Sequence, residues 1–178
     1  AQVQREDHPL HGCVDPDSGY VVSGYSFGGY TAYVTGGATT AMGLEGLADE
    51  RVTAVVTYAP WDAQTLVEGT ADIQVPVMSL GGDRDATVGT DYRDLHGSVT
   101  SVPRIQGAFA NAGHYSFTPI YCSGAGDGCG AAFIDSELFT ATVQTAVMAF
   151  LGHLRAEQGA IQQVPELEGE LEWEIVLE

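Results

Sequence analysis

The chain has 178 residues, 44% of them hydrophobic, and its 24 acidic residues against 6 basic ones give a formal net charge of −18. This length and composition fit one globular domain with a proper core. The acidic balance argues against nucleic acid and anionic membranes as partners, because phosphate binding requires clustered cations. No apolar run approaches the roughly 18 residues that a membrane-spanning helix needs, so we expect no membrane span.

Four apolar segments predict the strands of a buried sheet. The first, Tyr20 to Tyr25, is apolar without alternation, which is typical of a strand covered on both faces. Stretches of roughly 15 to 20 residues separate the segments, long enough for crossover helices and too long for hairpins. These spacings predict a mainly parallel α/β sheet. The other three segments are residues 52–58, 75–80 and 101–105, the last weakened by Pro103.

Two helices and a final strand complete the predicted elements. Residues 27 to about 48 are predicted as a helix interrupted by TGGATT, and residues 135–157 carry one apolar stripe with spacings of three and four. The tail alternates apolar residues with glutamates from 170 to 178, which predicts a half-buried edge strand with its glutamates in water. We therefore divide the chain into a domain of residues 1–157 and an acidic tail of residues 158–178.

A glycine-flanked serine follows the first predicted strand. Gly24-Tyr25-Ser26-Phe27-Gly28 fits G-x-S-x-G, a strand-to-helix turn so tight that its serine is strained and exposed. We expect side chains at the two flanking glycines to collide with the neighbouring strand and helix. The N–H of Phe27 would lie at the start of a helix, where backbone donors are free. A plain Gly-rich turn with a helix-start serine is the alternative interpretation.

A base and a carboxylate for this serine follow later strands. Asp85 comes just after the third segment in GGDRDATV, and His114 comes after the fourth in NAGHYSFTP. Because the carboxyl ends of parallel strands meet at one edge of a sheet, we expect these side chains to converge on Ser26. Asp83 is the alternative carboxylate. The other histidines of the chain are His8, His11, His96 and His153.

In the order Ser26, Asp85, His114, the chain resembles the α/β-hydrolase superfamily, and more narrowly its dienelactone-hydrolase and platelet-activating-factor-acetylhydrolase-like esterases. The matching stretches are GYSFGG, VPVMSLGGDRDATV and GHYSFTP, and YAPWD resembles the segment that lines the acyl pocket of polyester hydrolases and cutinases. The resemblance covers roughly residues 10–155. It implies a three-layer α/β-hydrolase fold with a mainly parallel sheet, of which this chain holds the C-terminal part.

The resemblance also implies roles for the site residues. Ser26 would be the nucleophile, His114 the general base and then acid, Asp85 the carboxylate that orients the imidazole, and Phe27 the donor of an oxyanion N–H. The implied activity is hydrolysis of a small ester or a polyester through an acyl-enzyme, with no metal or cofactor required. A non-catalytic binding module of the same fold, and a thioesterase or peptidase, are the alternatives.

Two aromatic residues are candidates for the substrate-binding wall. Tyr25 adjoins the candidate nucleophile, and Trp61 follows the second strand, so both would face the same cleft. An aromatic side chain at such a position also packs well in an ordinary core, and this alternative stays open.

The cysteines bear on the compartment. Cys122 and Cys129 bracket CSGAGDGC, a Gly-rich loop flexible enough to close a disulfide, which would indicate a secreted or periplasmic protein. Two reduced thiols, or a metal pair completed by a nearby histidine, are the alternatives, although C-x6-C lacks the C-x2-C spacing of zinc sites. Cys13 is left over, either buried or paired outside this chain.

The resemblance also predicts a partner. In the resembled fold several strands precede the serine turn, and a loop among them supplies the second oxyanion N–H. Only 25 residues precede Ser26 here. We therefore expect a companion N-terminal chain of the same precursor to cover the first strand and complete the oxyanion hole.

Overall fold

In the part of the chain that the structure describes, five strands form one sheet in the order in which they occur along the chain. A computed structural model describes residues 6, 7, 9, 11–13, 15, 17–66, 68–118, 126–155 and 171–177. The strands are β1 (Tyr20–Tyr25), β2 (Val52–Tyr58), β3 (Val77–Gly82), β4 (Arg104–Phe109) and β5 (Leu171–Val176). β1 to β4 are parallel, and β5 runs antiparallel to β4. The prediction of a mainly parallel α/β sheet is confirmed.

Helices cover both faces of this sheet. Helices α1 (Phe27–Thr35), α2 (Ala63–Leu66) and α3 (Asp91–Ser98) contribute to one apolar cluster, and α4 (Ser136–Leu154) contributes to a second. Adjacent residues of β2 are divided between the clusters, since Val55 belongs to the first and Ala54 and Val56 to the second. Such alternation is expected of a strand buried on both faces. None of the helices in the described residues combines the length and the hydrophobicity that a membrane span requires.

β1 lies at an edge of the sheet. In the described part of the chain it pairs with β2 alone, and Tyr20 and Val21 are 40% and 38% exposed. The prediction that this strand is covered on both faces is therefore wrong for the described residues. The reason is that an apolar run indicates a strand that favours burial but does not specify which neighbours cover it.

β3 is displaced from its predicted position. It begins at Val77 rather than at residue 75 and continues through Gly81 and Gly82, which the sequence pattern placed after its end. A Cβ at Gly81 would overlap the ring of Tyr92, and one at Gly82 would overlap the carbonyl of Ala112. These two glycines are therefore places where α3 and the loop after β4 approach the strand closely.

β4 occupies residues 104–109 rather than the predicted 101–105. Pro103 immediately precedes it, and the Pro103 carbonyl accepts a hydrogen bond from the Val77 N–H at 3.2 Å. Gly107 lies at its centre, where an added Cβ would lie 2.5 Å from a ring atom of Trp173 and 2.7 Å from a methyl carbon of Leu80. The missing side chain at Gly107 therefore makes room for an aromatic ring of β5.

The remaining elements match their predictions to different degrees. α4 follows the predicted helix of residues 135–157 closely. α1 ends at Thr35, and between it and β2 the described residues contain one short 3-10 helix, at Glu45–Leu47. β5 is an edge strand as predicted, with Glu172 and Glu174 exposed. Two further 3-10 helices lie at Gly69–Asp72 and His114–Phe117.

Candidate active site

Ser26 lies at the junction of β1 and α1 in a backbone conformation that L residues rarely adopt. Its φ of 55° is in the left-handed region, with a ψ of −121°. Its N–H donates to the Tyr58 carbonyl at 2.9 Å, and its own carbonyl accepts from the N–H groups of Gly29, Tyr30 and Trp61. These hydrogen bonds hold the serine in a strained conformation of the kind that is concentrated at functional sites.

The glycines around Ser26 have different reasons to be glycine. A Cβ at Gly24 would overlap the carbonyl of Gly28, so the close approach of β1 and α1 requires Gly24. The expected collision at Gly28 is wrong, because a Cβ there would meet nothing within 4 Å. The second close approach falls one residue later, at Gly29, whose Cβ would lie 2.9 Å from that of Pro60.

Asp85 is held in the loop after β3 with both carboxylate oxygens engaged. Its Oδ1 accepts hydrogen bonds from the N–H groups of Thr87 at 2.9 Å and Val88 at 2.8 Å, and its Oδ2 lies 2.8 Å from His114 Nδ1. It is 6% exposed. Asp83, the alternative carboxylate, instead accepts from a backbone N–H in the loop after β4. The geometry at the histidine thus favours Asp85.

His114 joins the other two candidate residues. It begins the 3-10 helix that follows β4 and is 3% exposed. Its Nε2 lies 3.0 Å from Ser26 Oγ, and the ring of Tyr25 packs against the imidazole with a centroid distance of 4.9 Å. With Asp85 ionised, His114 donates from Nδ1 and is left with Nε2 to accept the Ser26 hydroxyl proton. The three residues form a continuous chain of hydrogen bonds.

The remaining described histidines lie outside this chain of hydrogen bonds. His11 is exposed, and His153 is half-buried on α4. His96 is 1% exposed on α3, and neither of its ring nitrogens has a hydrogen-bond partner among the described residues. Burial lowers the pKa of His96 to about 4, and the positive charge of Arg104 contributes a smaller effect in the same direction. His8 lies outside the described residues.

The N–H of Phe27 is the first of α1. Because the opening N–H groups of an α-helix have no intrahelical acceptor, this donor is available to a ligand beside Ser26. The positive end of the helix dipole lies at the same position, which favours a developing negative charge there. The arrangement suits one hydrogen bond to an oxyanion.

The two predicted substrate-wall residues lie in different surroundings. Trp61 is 38% exposed, with its ring 5.6 Å from that of Phe27 and 6.1 Å from that of Tyr30. Phe27 is itself 56% exposed and stacks on Tyr30. Trp61 therefore belongs to an exposed aromatic surface beside Ser26, whereas Tyr25 is half-buried against the imidazole. A contact with substrate stays a prediction for both.

Asp127 is a residue of this site that sequence reasoning missed. Its carboxylate contacts both the loop that carries Asp85 and the backbone of His114. The one signal available in the sequence is an acidic residue between two glycines, Gly126 and Gly128, in the segment that follows the histidine motif. Such a pattern is equally typical of a solvent-exposed turn.

The predicted disulfide cannot be placed, because Cys122 lies outside the described residues. The pairing of Cys122 with Cys129 therefore stays a prediction. Cys13 is a free and exposed thiol. The expectation that it is buried is therefore wrong, and its pairing outside this chain stays a prediction.

The chain matches none of the known protein families against which it was compared, and a search of curated proteins finds no match either. The interpretation of this site therefore depends on its geometry and on the motifs that carry the resemblance.

Proposed function

We propose that the protein is a serine carboxylic-ester hydrolase that works through an acyl-enzyme. The observation that carries this proposal is the chain of hydrogen bonds from Ser26 Oγ to His114 Nε2 at 3.0 Å and from His114 Nδ1 to Asp85 Oδ2 at 2.8 Å. A hydroxyl needs an adjacent base to become a nucleophile at neutral pH, and that base needs a partner that fixes its tautomer. Both conditions are met at Ser26.

Acylation follows from these positions. His114 Nε2 takes the hydroxyl proton while Ser26 Oγ forms a bond to the ester carbonyl carbon, and the carbonyl oxygen becomes an oxyanion that accepts from the Phe27 N–H. Asp85 stabilises the imidazolium. His114 then gives its proton to the alcohol oxygen, the bond between carbonyl carbon and alcohol oxygen breaks, and the alcohol leaves an acyl group on Ser26.

Deacylation repeats the same proton transfers with water. His114 takes a proton from a water molecule whose oxygen attacks the acyl carbon, and the resulting tetrahedral intermediate expels Ser26 Oγ. The proton returns from the imidazolium to Ser26, and a carboxylic acid is released. No redox step and no cofactor enters this sequence of bond changes.

We further propose that the sheet is the C-terminal part of a three-layer α/β-hydrolase fold. Four parallel strands with helices on both faces support this, as does the location of Ser26, Asp85 and His114 after the carboxyl ends of β1, β3 and β4. The exposed edge of β1 supports a companion N-terminal chain that pairs with it and supplies a second oxyanion donor. Native mass spectrometry that finds only this polypeptide, as a stable monomer, would count against the companion.

The surroundings of Ser26 support an ester with an apolar group. The rings of Phe27 and Trp61 form an exposed surface next to the candidate nucleophile, and an apolar acyl or aromatic group would bury part of it. A small ester or a polyester segment meets this requirement. An extracytoplasmic location remains part of the proposal and depends on the Cys122–Cys129 disulfide, which non-reducing peptide mapping of native protein would detect.

The decisive experiment is labelling with a fluorophosphonate, which reacts with activated serines. We expect the label on the Ser26 peptide, with no label in a Ser26→Ala variant and loss of p-nitrophenyl acetate hydrolysis in the same variant. Ser23→Ala is a matched control, because Ser23 lies in β1 and outside the chain of hydrogen bonds. A folded, native protein that incorporates no label would refute the esterase and favour a non-catalytic binding module.

A further inference from the structure

Asp127 connects two loops that are far apart in the chain. It is half-buried in the segment between the 3-10 helix at His114–Phe117 and α4. Its Oδ1 accepts the backbone N–H of His114 at 3.0 Å. Its Oδ2 accepts the Thr87 hydroxyl at 2.6 Å and the Ala86 N–H at 3.2 Å. One carboxylate therefore holds the loop after β3 and the loop after β4.

The two loops held by Asp127 carry the two ends of the Asp85–His114 hydrogen bond. Thr87, whose hydroxyl donates to Asp127, also donates its N–H to Asp85 Oδ1 at 2.9 Å. On the other side, the Asp127 main-chain carbonyl accepts from the Tyr115 N–H at 2.9 Å, next to the His114 N–H that its side chain holds. A displacement of Asp127 would therefore shift both Asp85 and His114.

Glycines allow this close approach. A Cβ at Gly113 would lie 2.5 Å from Asp127 Oδ1. Gly128 has a φ of 99°, and a Cβ there would lie 2.5 Å from the Ser116 nitrogen. The backbone around His114 therefore packs directly against the backbone around Asp127. An incidental surface contact would not require glycine at both positions.

The charge of Asp127 also interacts with His114. Burial by itself raises the pKa of Asp127, but the hydrogen bonds from Thr87, His114 and Ala86 outweigh it and lower the pKa below its ordinary value. Attraction to a protonated His114 acts in the same direction. This interaction is mutual, so the carboxylate of Asp127 favours the imidazolium, in addition to Asp85 from the β3 loop. Tyr25 and Tyr115 present rings to the imidazole.

We propose that Asp127 is a positioning residue that holds the Asp85 loop against the His114 loop and stabilises the imidazolium formed during each proton transfer. The inference rests on the proposed function for its catalytic consequence. The electrostatic part of the proposal, an effect of Asp127 on the proton affinity of His114, does not depend on which substrate is hydrolysed.

The test compares Asp127→Asn with the matched control Asp135→Asn. Asp135 is in the same segment and accepts the N–H groups of Glu137 and Leu138 at the start of α4, a role that asparagine performs equally well. Asp127→Asn retains one acceptor oxygen but loses the charge and an acceptor. We expect its kcat to fall about tenfold, the scale of one charge-assisted hydrogen bond, with KM changed less than about twofold.

The charge is tested separately by NMR titration of the His114 ring. We expect its midpoint to move to lower pH in Asp127→Asn and to stay at the wild-type value in Asp135→Asn, because the lost negative charge no longer favours the imidazolium. An unchanged midpoint in folded Asp127→Asn overturns the proposal, as does an equal shift in Asp135→Asn. A KM effect without a kcat effect also overturns it, since that outcome assigns Asp127 to substrate binding.

Two further measurements keep the outcomes distinct. If Asp127→Asn does not fold, Thr87→Val removes only the hydroxyl that donates to Asp127, and a wild-type kcat in that variant contradicts the positioning role. If the wild-type protein neither hydrolyses esters nor reacts with a fluorophosphonate, the proposed function fails. The NMR titration still decides whether Asp127 acts on His114 in that case.

Discussion

Two carboxylates two residues apart follow β3, and their contacts assign them different roles. Asp85 accepts from its own loop through one oxygen and lies against His114 through the other, whereas Asp83 accepts the Asn111 N–H at 2.7 Å and so connects the loops after β3 and β4. In the sequence, only the G-x-x-D spacing from Gly82 favours Asp85, so Asp83 remains an alternative at that level. Hydrogen-bond geometry separates the two.

This difference predicts the effects of two isosteric substitutions. Asp85→Asn would present an amide to His114 Nδ1 and favour the wrong tautomer, so we expect kcat to fall on the order of 10³- to 10⁴-fold. Asp83→Asn retains an acceptor oxygen for Asn111 and should leave kcat within about twofold of wild type. Initial rates on p-nitrophenyl acetate, with melting temperatures as a check on folding, make the comparison. A large loss in Asp83→Asn alone would transfer the acid role to that residue.

At the level of secondary-structure elements, the turn from β1 into α1 depends on Gly24 more than on Gly28. Gly24→Ala would place a Cβ into the Gly28 carbonyl, so β1 and α1 must separate. Gly28→Ala would place a Cβ in open space within a helix, where alanine is favoured over glycine by about 1 kcal/mol. The two changes add the same methyl group, so their difference measures the close approach of strand and helix.

We expect Gly24→Ala to lower the free energy of unfolding by about 1–3 kcal/mol, the usual cost of overpacking, and Gly28→Ala to leave it unchanged or raise it slightly. Urea unfolding followed by tryptophan fluorescence gives both values. Gly24→Ala should also slow fluorophosphonate labelling, because the Phe27 N–H moves with the start of α1. Equal stabilities for the two variants would show that β1 and α1 adjust without strain.

The sequence predicted some elements closely because their signal is local. β1, β2 and α4 are apolar runs or stripes with clear flanks, and their observed bounds lie within a few residues of the predicted ones. β3 and β4 extend through Gly81, Gly82 and Gly107, which carry no hydrophobic signal and are glycine because of Tyr92, Ala112 and Trp173 elsewhere in the chain. A pattern read along the sequence does not contain those contacts.

The same reasoning applies to the site across the whole molecule. The convergence of Ser26, Asp85 and His114 is predictable because each follows the carboxyl end of a strand, and parallel topology brings such positions to one edge. Among the described residues, no strand ends just before Asp127, and its partners Ala86 and Thr87 are 41 and 40 residues away in the chain. Its role depends on how two loops pack, which neither periodicity nor motif spacing encodes.

A net charge of −18 and the buried His96 act in opposite directions on the stability of the whole molecule as pH falls. Acidification reduces the repulsion among carboxylates, which favours the compact state. The pKa of His96 is lowered from 6.5 to about 4 in the folded protein. As pH falls, the unfolded chain therefore binds a proton at His96 before the folded protein does. Its contribution to stability is therefore present above pH 6.5 and is lost as pH falls from 6.5 towards 4.

The His96→Leu variant isolates this contribution, because both proteins share the same carboxylates. Between pH 7 and pH 5 we expect the free energy of unfolding of the wild type to fall by about 2 kcal/mol relative to that of the variant. Leucine also removes two buried ring nitrogens that lack partners among the described residues, so the variant should be at least as stable at pH 5. His11→Gln changes an exposed histidine and should retain the wild-type pH dependence. Urea unfolding at several pH values gives the free energy of unfolding of all three proteins. The same pH dependence in wild type and His96→Leu would mean that His96 reaches solvent when it is protonated.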